Sequence, residues 1–137
     1  MAFSFFFRDQ NTLDQIVRHA LPAFAGRRSV RIWDAGCAMG PEPYSLAITF
    51  AEHMGHFAFQ NLRIDASDID ESNLFENVIA KGEYSDEELG RIPAAIMEKY
   101  FVATDSPRRF RVCEQIRSRV FFRRHDLLTL EPFASDY

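Results

Sequence analysis

The chain has 137 residues, enough for one domain with a single hydrophobic core, and 47% of its residues are hydrophobic. Its net charge of −4 argues against a protein that binds nucleic acid through overall basicity. No apolar run approaches the length of a membrane span, and Cys37 and Cys113 have neither a disulfide framework's pattern nor metal-ligand spacing. These features predict a soluble cytoplasmic protein with no membrane insertion and no metal site.

Short apolar runs are predicted to be strands, and helical periodicity fills the segments between them. The predicted strands are residues 30–34, 62–66 and 120–124, with a further short strand at 110–113. The predicted helices are 11–19, 43–53 and 70–81, followed by helical turns at 86–89 and 93–100. Pro22 is expected to end the first helix. This alternation of apolar strands with helices favours an α/β fold with a parallel sheet.

The loop after the first strand is made of small residues and leads directly into a helix. It runs from Asp34 through Gly36 and Cys37 to Gly40. Small residues at this point allow a ligand to approach the backbone closely, so Gly36 is a candidate cofactor-binding residue. The spacing is not G-x-G-x-x-G, because position 38 is alanine. A nicotinamide-dependent enzyme is therefore a disfavoured alternative.

Carboxylates follow each of the three main predicted strands, where ligands of parallel sheets bind. Asp68 directly follows the second strand and can accept hydrogen bonds from two ribose hydroxyls. Its alternative role is to cap the next helix, which is the role expected for Asp70. Asp126 follows the third strand and is either a turn residue or a neighbour of an adenine amino group.

Four segments of the chain together resemble one known family. They are Ser4-Phe-Phe-Phe-Arg8, the run from Arg31-Ile-Trp to Glu42-Pro-Tyr-Ser45, Ala66-Ser-Asp-Ile-Asp70 with Gly82-Glu-Tyr84, and Val120–Leu128. In order and interval they are similar to segments of the CheR-type chemotaxis receptor methyltransferases. Enzymes of that family transfer a methyl group from S-adenosylmethionine (SAM) to glutamate side chains of receptor helices.

The resemblance implies a Rossmann-like SAM-methyltransferase domain. Residues 1–137 would form its N-terminal half, a partial domain with about three parallel strands. The family's N-terminal helical domain and its later strands have no counterpart in this sequence. Because an open sheet edge favours pairing, the chain is expected to be either a truncated piece of a longer methyltransferase or a natural short form whose sheet a second copy completes as a homodimer.

The resemblance also implies roles for individual residues. The implied cofactor-binding residues are Ser4, Arg8, Gly36, Glu42, Asp68, Asp126 and Leu127. Arg8 would bind the amino-acid carboxylate of SAM and is the candidate catalytic residue, orienting the acceptor carboxylate. Glu42 would balance the ammonium or sulfonium charge, while Asp126 and Leu127 would border the adenine. Pro41 stands where the family has a glutamate, a substitution that a first helical turn accommodates.

The partner and the activity stay open at this point. Chemotaxis receptor helices or another acidic protein would be the substrate, and a non-catalytic SAM-binding or regulatory module is the alternative function. Seven arginines between positions 108 and 124 indicate either solvated strand edges or a surface for an acidic partner. Nucleic-acid methylation rests on that cluster alone, and the overall acidity of the chain counts against it.

Overall fold

The computed structural model describes residues 5–131, so Ser4 lies outside the described residues. The helices are α1 Gln10–Phe24, α2 Pro41–Met54, α3 His56–Phe59, α4 Phe75–Lys81, α5 Ala94–Tyr100 and α6 Glu114–Arg117, with a 3-10 turn at Leu127–Thr129. The strands are β1 Val30–Ala35, β2 Leu62–Asp68, β3 Glu83–Ser85, β4 Phe101–Ala103, β5 Arg109–Val112 and β6 Val120–Arg124. Within residues 5–131, no helix is long and apolar enough to cross a membrane.

The main sheet consists of three parallel strands in the order β1-β2-β6. Ile32 of β1 is in register with Ile64 of β2, which is in register with Val120 of β6. The middle strand is buried on both faces, with Leu62, Ile64 and Ala66 on one face and Asp65 and Ser67 on the other. The predicted α/β fold with three parallel strands is confirmed, and the carboxyl ends of all three strands lie at one edge.

Helix α2 forms the centre of the core, and α1 packs against it. Tyr44, Ala47 and Phe50 of α2 are fully buried. The prediction that α1 ends near His19 is wrong, because the helix continues through Pro22 to Phe24, whose ring stacks on Phe50 with centroids 5.7 Å apart. A proline near the end of a helix removes one backbone donor, and the aromatic packing of the last turn offsets that loss.

A second sheet, antiparallel and with the order β3-β5-β4, was not predicted from the sequence. Of its three strands only β5 was expected, because β3 and β4 have three residues each and show no usable periodicity. Tyr84, Phe101 and Val112 supply its buried side chains. The small sheet thereby extends the hydrophobic core to one side of the parallel sheet.

Helix α4 begins at Phe75, later than the predicted start at Asp70 or Ser72. Asp70 has a positive φ of 42°, which excludes it from a right-handed helix. Its buried carboxylate nevertheless accepts hydrogen bonds from the backbone N–H groups of Leu74 and Phe75 at 3.3 and 3.0 Å. The expected capping role of Asp70 is therefore confirmed, although it acts from four to five residues away.

Candidate functional site

The loop that joins β1 to α2 is held against the end of β2. The backbone N–H groups of Gly36 and Cys37 both donate to the carbonyl of Ser67, at 2.7 and 2.9 Å. The N–H of Ala38 donates to the Asp68 carboxylate at 3.0 Å. A Cβ added to Gly36 would meet no atom within 4 Å, so this side of the loop is open to a ligand. The loop offers space for a ligand, while its first N–H groups are already used within the protein.

Gly40 closes the loop under a tight steric constraint. Its φ of 109° lies where side chains are strained, and an added Cβ would lie 2.3 Å from the Tyr84 hydroxyl. That hydroxyl donates to the carbonyl of Met39 at 2.9 Å. Pro41 is the first residue of α2, a position that accommodates proline in place of the family's glutamate. Tyr84 of the small sheet therefore fixes the path of the loop.

Arg8 is positioned by its two neighbours in the N-terminal segment. The Phe6 ring is buried and contacts Tyr84 edge-on, with centroids 4.9 Å apart. The N–H of Phe7 donates to the Ser45 hydroxyl at 2.8 Å, which joins the segment to the first turns of α2. The Arg8 side chain itself is 56% exposed and lies 3.8 Å from the Asp9 carboxylate. Core packing on one side thus presents a flexible cation on the other.

A cavity of about 430 Å³ lies between the N-terminal segment, α1 and the start of α2. Arg8 and Glu42, both predicted cofactor-binding residues, line it together with Asp34. The structure therefore brings one guanidinium and two carboxylates to the same cavity. Ile16 of α1 also lines this cavity and is 46% exposed.

Asp34 was part of the quoted loop but was not singled out as a site residue. Burial, together with a hydrogen bond and charge repulsion from Glu42, raises the pKa of Asp34 to about 8. The position of an aspartate at the end of a strand that enters such a loop is the sequence signal that could have identified it. Burial likewise raises the pKa of the Cys37 thiol far above neutrality, which excludes a thiolate nucleophile there.

Asp68 lies at the carboxyl end of β2, half-buried, as the sequence predicted. Its Oδ2 accepts from Ala38 N–H, and its Oδ1 accepts a 3.3 Å bond from the Asp70 N–H. A carboxylate oxygen has a second lone pair, so both oxygens keep acceptor capacity for ribose hydroxyls. Asp68 does not cap α4, since Asp70 makes those bonds.

Asp126 and Leu127 follow β6 at the same edge of the sheet but do not line the 430 Å³ cavity. The Asp126 carboxylate accepts from the Leu128 N–H at 2.9 Å, so it stabilises the turn that follows the strand. Leu127 is 53% exposed. The turn role is observed, and the adenine-bordering role remains a prediction that the exposed leucine side chain would suit.

The arginine-rich segment does not form one continuous basic face. Arg111 pairs with Glu83, Arg119 donates to the Leu62 carbonyl, and Arg124 donates to the Ile69 carbonyl at 2.9 Å. These contacts favour the interpretation of the arginines as solvated strand-edge residues over a surface for an acidic partner. Among the described residues, no group of histidine, cysteine or acidic side chains could hold a metal ion.

A second cavity, of about 540 Å³, lies on the other side of Phe5, which lines both cavities. Its walls include the apolar side chains of Met39, Val78 and Tyr84 and the charged side chains of Glu88 and Arg91. None of the predicted cofactor-binding residues within 5–131 lines it. We therefore place the candidate site at the smaller, more polar cavity and the loop beside it.

A parallel sheet with a small-residue loop after β1 and a carboxylate after β2 defines the class of nucleotide-binding α/β domains that includes the Rossmann-like SAM methyltransferases. Within that class, residues 2–136 match the family described as CheR methyltransferase, SAM binding domain. The chain belongs to this family.

Curated relatives agree with that assignment. The chain is 35% identical over 125 residues to chemotaxis protein methyltransferase 2 of Pseudomonas aeruginosa, covering 90% of this chain and 44% of the relative. It is 31% identical over 128 residues to a chemotaxis protein methyltransferase of Listeria monocytogenes, covering 92% and 46%. For a probable chemotaxis protein methyltransferase of Rhizobium etli the values are 30% over 141 residues, 98% and 52%. The chain thus spans about half the length of these relatives.

Proposed function

We propose that this chain binds SAM at the carboxyl edge of its parallel sheet and forms the cofactor-binding half of a methyltransferase that acts on glutamate side chains of chemotaxis receptors. The observation that carries the proposal is the cavity lined jointly by Arg8, Asp34 and Glu42. Gly36, two residues after Asp34 in the chain, has open space at its Cβ position. Family membership supports the choice of cofactor.

The charges of this cavity fit the amino-acid end of SAM, which carries a carboxylate, an ammonium and a neighbouring sulfonium. The guanidinium of Arg8 offers a planar pair of donors to the carboxylate. Glu42 and Asp34 supply negative charge for the ammonium, and the absence of a side chain at Gly36 leaves room beside the loop. Ser4 would join Arg8, although it lies outside the described residues.

The remainder of the cofactor extends along the sheet edge in this proposal. Asp68 accepts the ribose hydroxyls with the lone pairs that its backbone contacts leave over. Asp126 and Leu127 border the adenine, with the exposed Leu127 side chain against the ring. The order of these residues along the edge follows the strand order β1-β2-β6.

The chemistry asks for positioning rather than proton transfer. When bound, SAM supplies an electrophilic methyl group whose carbon–sulfur bond breaks as a carbon–oxygen bond to the acceptor forms, leaving neutral S-adenosylhomocysteine. The acceptor glutamate is already ionised at neutral pH, so the protein needs no general base. Arg8 is the proposed catalytic residue because its exposed guanidinium can orient the incoming carboxylate at the cavity mouth.

The first test is a calorimetric titration of the chain with S-adenosylhomocysteine, where micromolar affinity is expected. Arg8→Ala should weaken binding by about 1–3 kcal/mol, roughly 5- to 150-fold, through loss of charged hydrogen bonds. Arg18→Ala removes an exposed arginine of α1 that does not line the cavity and should leave the affinity unchanged. Equal affinity for wild type and Arg8→Ala would refute the placement of the carboxylate.

Asp68 requires a matched pair of variants because its side chain also holds the loop. Asp68→Asn keeps an acceptor for the Ala38 N–H, whereas Asp68→Ala removes it. Both should lose affinity through the ribose contact, and the alanine variant should lose more because the loop is also released. If Asp68→Asn binds as wild type while Asp68→Ala does not, the role of Asp68 is confined to the loop.

A non-catalytic SAM-binding or regulatory module is the second candidate. Transfer of a radiolabelled methyl group to the cytoplasmic helices of a chemotaxis receptor distinguishes the two. Binding without transfer would support the module, and transfer to a different acidic protein would change the acceptor. Binding of NAD in place of S-adenosylhomocysteine would overturn both candidates.

The proposed homodimer through the sheet edge remains to be tested. Within residues 5–131, β1 pairs with β2 on one side and with no strand on the other. An uncovered strand edge favours pairing with another chain. Light scattering at tens of micromolar should give the mass of a dimer, and a monomeric mass would refute the pairing.

A further inference from the structure

We propose that Asp34 holds a proton in the ligand-free protein, directed toward the Glu42 carboxyl, and releases it when the ammonium end of the cofactor enters their cavity. Cofactor binding would then be coupled to proton release. The inference rests on the proposed function, because it assumes that this cavity receives the amino-acid end of SAM.

The placement of the two carboxyl groups in one cavity, with one Asp34 oxygen buried and without a donor, favours a proton on Asp34. Asp34 lies near the end of β1 and Glu42 in the first turn of α2, and the intervening loop folds both into one cavity. Asp34 Oδ2 is buried, and within residues 5–131 no N–H or hydroxyl group donates to it. Its neighbour is the Glu42 carboxyl, and two carboxyl groups hydrogen bond to each other only when one of them is protonated.

The surrounding charges do not substitute for that proton. Arg8 and Asp9 of the N-terminal segment line the cavity, but Arg8 is largely exposed and lies beside Asp9. From the loop, Cys37 interacts electrostatically with Asp34 and stays a neutral thiol.

The other packed elements bring no positive charge either. The cavity-lining residues of α1 and of the second turn of α2 are uncharged: Thr12, Leu13, Ile16, Ser45 and Leu46. On β2, the residue in register with Asp34 is Ala66, and Asp68 at the strand end adds further negative potential to the loop.

A bound ammonium would change this balance. It places a positive charge and several N–H donors beside the two carboxyl groups, so the ionised form of Asp34 becomes the more stable one. Because burial and Glu42 raise the pKa of Asp34 to about 8, the free protein holds the proton at neutral pH. By linkage, affinity should then rise with pH below about 8, approaching tenfold per pH unit, and level off above it.

The test is calorimetric titration with S-adenosylhomocysteine between about pH 6 and 7.5, in buffers of different ionisation enthalpy. The wild type should release about one proton per ligand bound, and its affinity should rise with pH. Asp34→Asn replaces the carboxyl O–H of Asp34 with a permanent amide N–H that donates to Glu42. Proton release on binding and the pH dependence of the affinity should therefore both disappear. Asp105→Asn, which changes an exposed carboxylate outside the cavity, should behave as wild type.

A second ligand identifies the group that displaces the proton. 5′-Methylthioadenosine has the adenine, ribose and sulfur but lacks the amino-acid ammonium, so it should bind without proton release. A carboxyl carbon NMR titration of the ligand-free protein should show a carboxyl resonance that titrates near pH 8 in wild type and is missing in Asp34→Asn.

The outcomes separate this inference from the proposed function. Binding of S-adenosylhomocysteine with no proton release, or equal release with methylthioadenosine, overturns the coupling and leaves the cofactor assignment standing. Proton release that persists in Asp34→Asn also overturns it, since another group would be responsible. Absence of binding by the folded wild type overturns the proposed function and this inference together.

Discussion

Substitution of Gly40 is the most direct probe of the link between the loop and the small sheet. Gly40 has a φ of 109°, and a Cβ there would lie 2.3 Å from the Tyr84 hydroxyl and 3.0 Å from Ile79 Cγ1. We expect Gly40→Ala to destabilise the fold and to weaken cofactor binding, since either the loop or Tyr84 must move.

The expected cost has two parts. Holding alanine in this backbone conformation costs about 1–3 kcal/mol. Displacing the Tyr84 hydroxyl from the Met39 carbonyl costs about 1 kcal/mol more through the lost hydrogen bond. The free energy of unfolding, measured by urea denaturation with circular dichroism, should therefore fall by about 2–4 kcal/mol.

Two further variants separate these parts. Gly26 has a φ of 77° and no atom within 4 Å of an added Cβ, so Gly26→Ala should show only the loss of stability caused by the backbone conformation. Tyr84→Phe removes the clashing oxygen, so the double variant Gly40→Ala with Tyr84→Phe should lose less stability than the sum of the single variants. Additive losses, or a loss at Gly40 no larger than that at Gly26, would refute the steric argument.

Three other predictions concern stability. Phe6→Ala should lower the free energy of unfolding by about 3–5 kcal/mol, because the ring is 1% exposed. The affinity for S-adenosylhomocysteine should also fall, since Phe6 positions Arg8. Unchanged affinity in the folded variant would contradict that role. Asp70→Ala should cost about 0.5–2 kcal/mol by removing the acceptor for the Phe75 N–H, measured by thermal unfolding; no change would contradict the capping assignment. The raised pKa of Asp34 means that the folded state holds a proton that the unfolded chain loses near pH 4, so this stabilising contribution declines as pH rises toward about 8. The slope should be up to about 1.4 kcal/mol per pH unit and absent in Asp34→Asn, and parallel pH profiles of the two proteins would contradict it.

The parallel sheet and the main helix were predictable because their signals are local. Each strand of the sheet carries apolar residues at alternate positions, such as Val30 and Ile32 in β1 or Leu62 and Ile64 in β2. The predicted inward-facing residues of α2, Leu46, Ala47, Phe50 and Ala51, are all buried. The capping role of Asp70 was predictable for the same reason, since it stands shortly before the helix that follows β2.

The small sheet and the acidic pair were not predictable in the same way. β3 and β4 are too short to show periodicity, and their pairing with β5 depends on contacts far apart in sequence. The protonation of Asp34 depends on burial and on the approach of Glu42, neither of which a one-dimensional pattern contains. The exposure of Ile16 has the same origin, because the helix pattern shows an apolar face but not the cavity beside it.

The contacts of Tyr84 bring segments that are distant in the sequence close together in the fold. Its ring packs edge-on against Phe6, two residues before the proposed carboxylate-binding Arg8. Its hydroxyl holds the Met39 carbonyl, in the loop that contains Gly36. Both loop and N-terminal segment also meet α2, through Gly40 and through the Phe7–Ser45 hydrogen bond. A side chain of the small sheet therefore sets the relative positions of the two segments proposed to hold the amino-acid end of the cofactor, so the small sheet belongs to the architecture of the site.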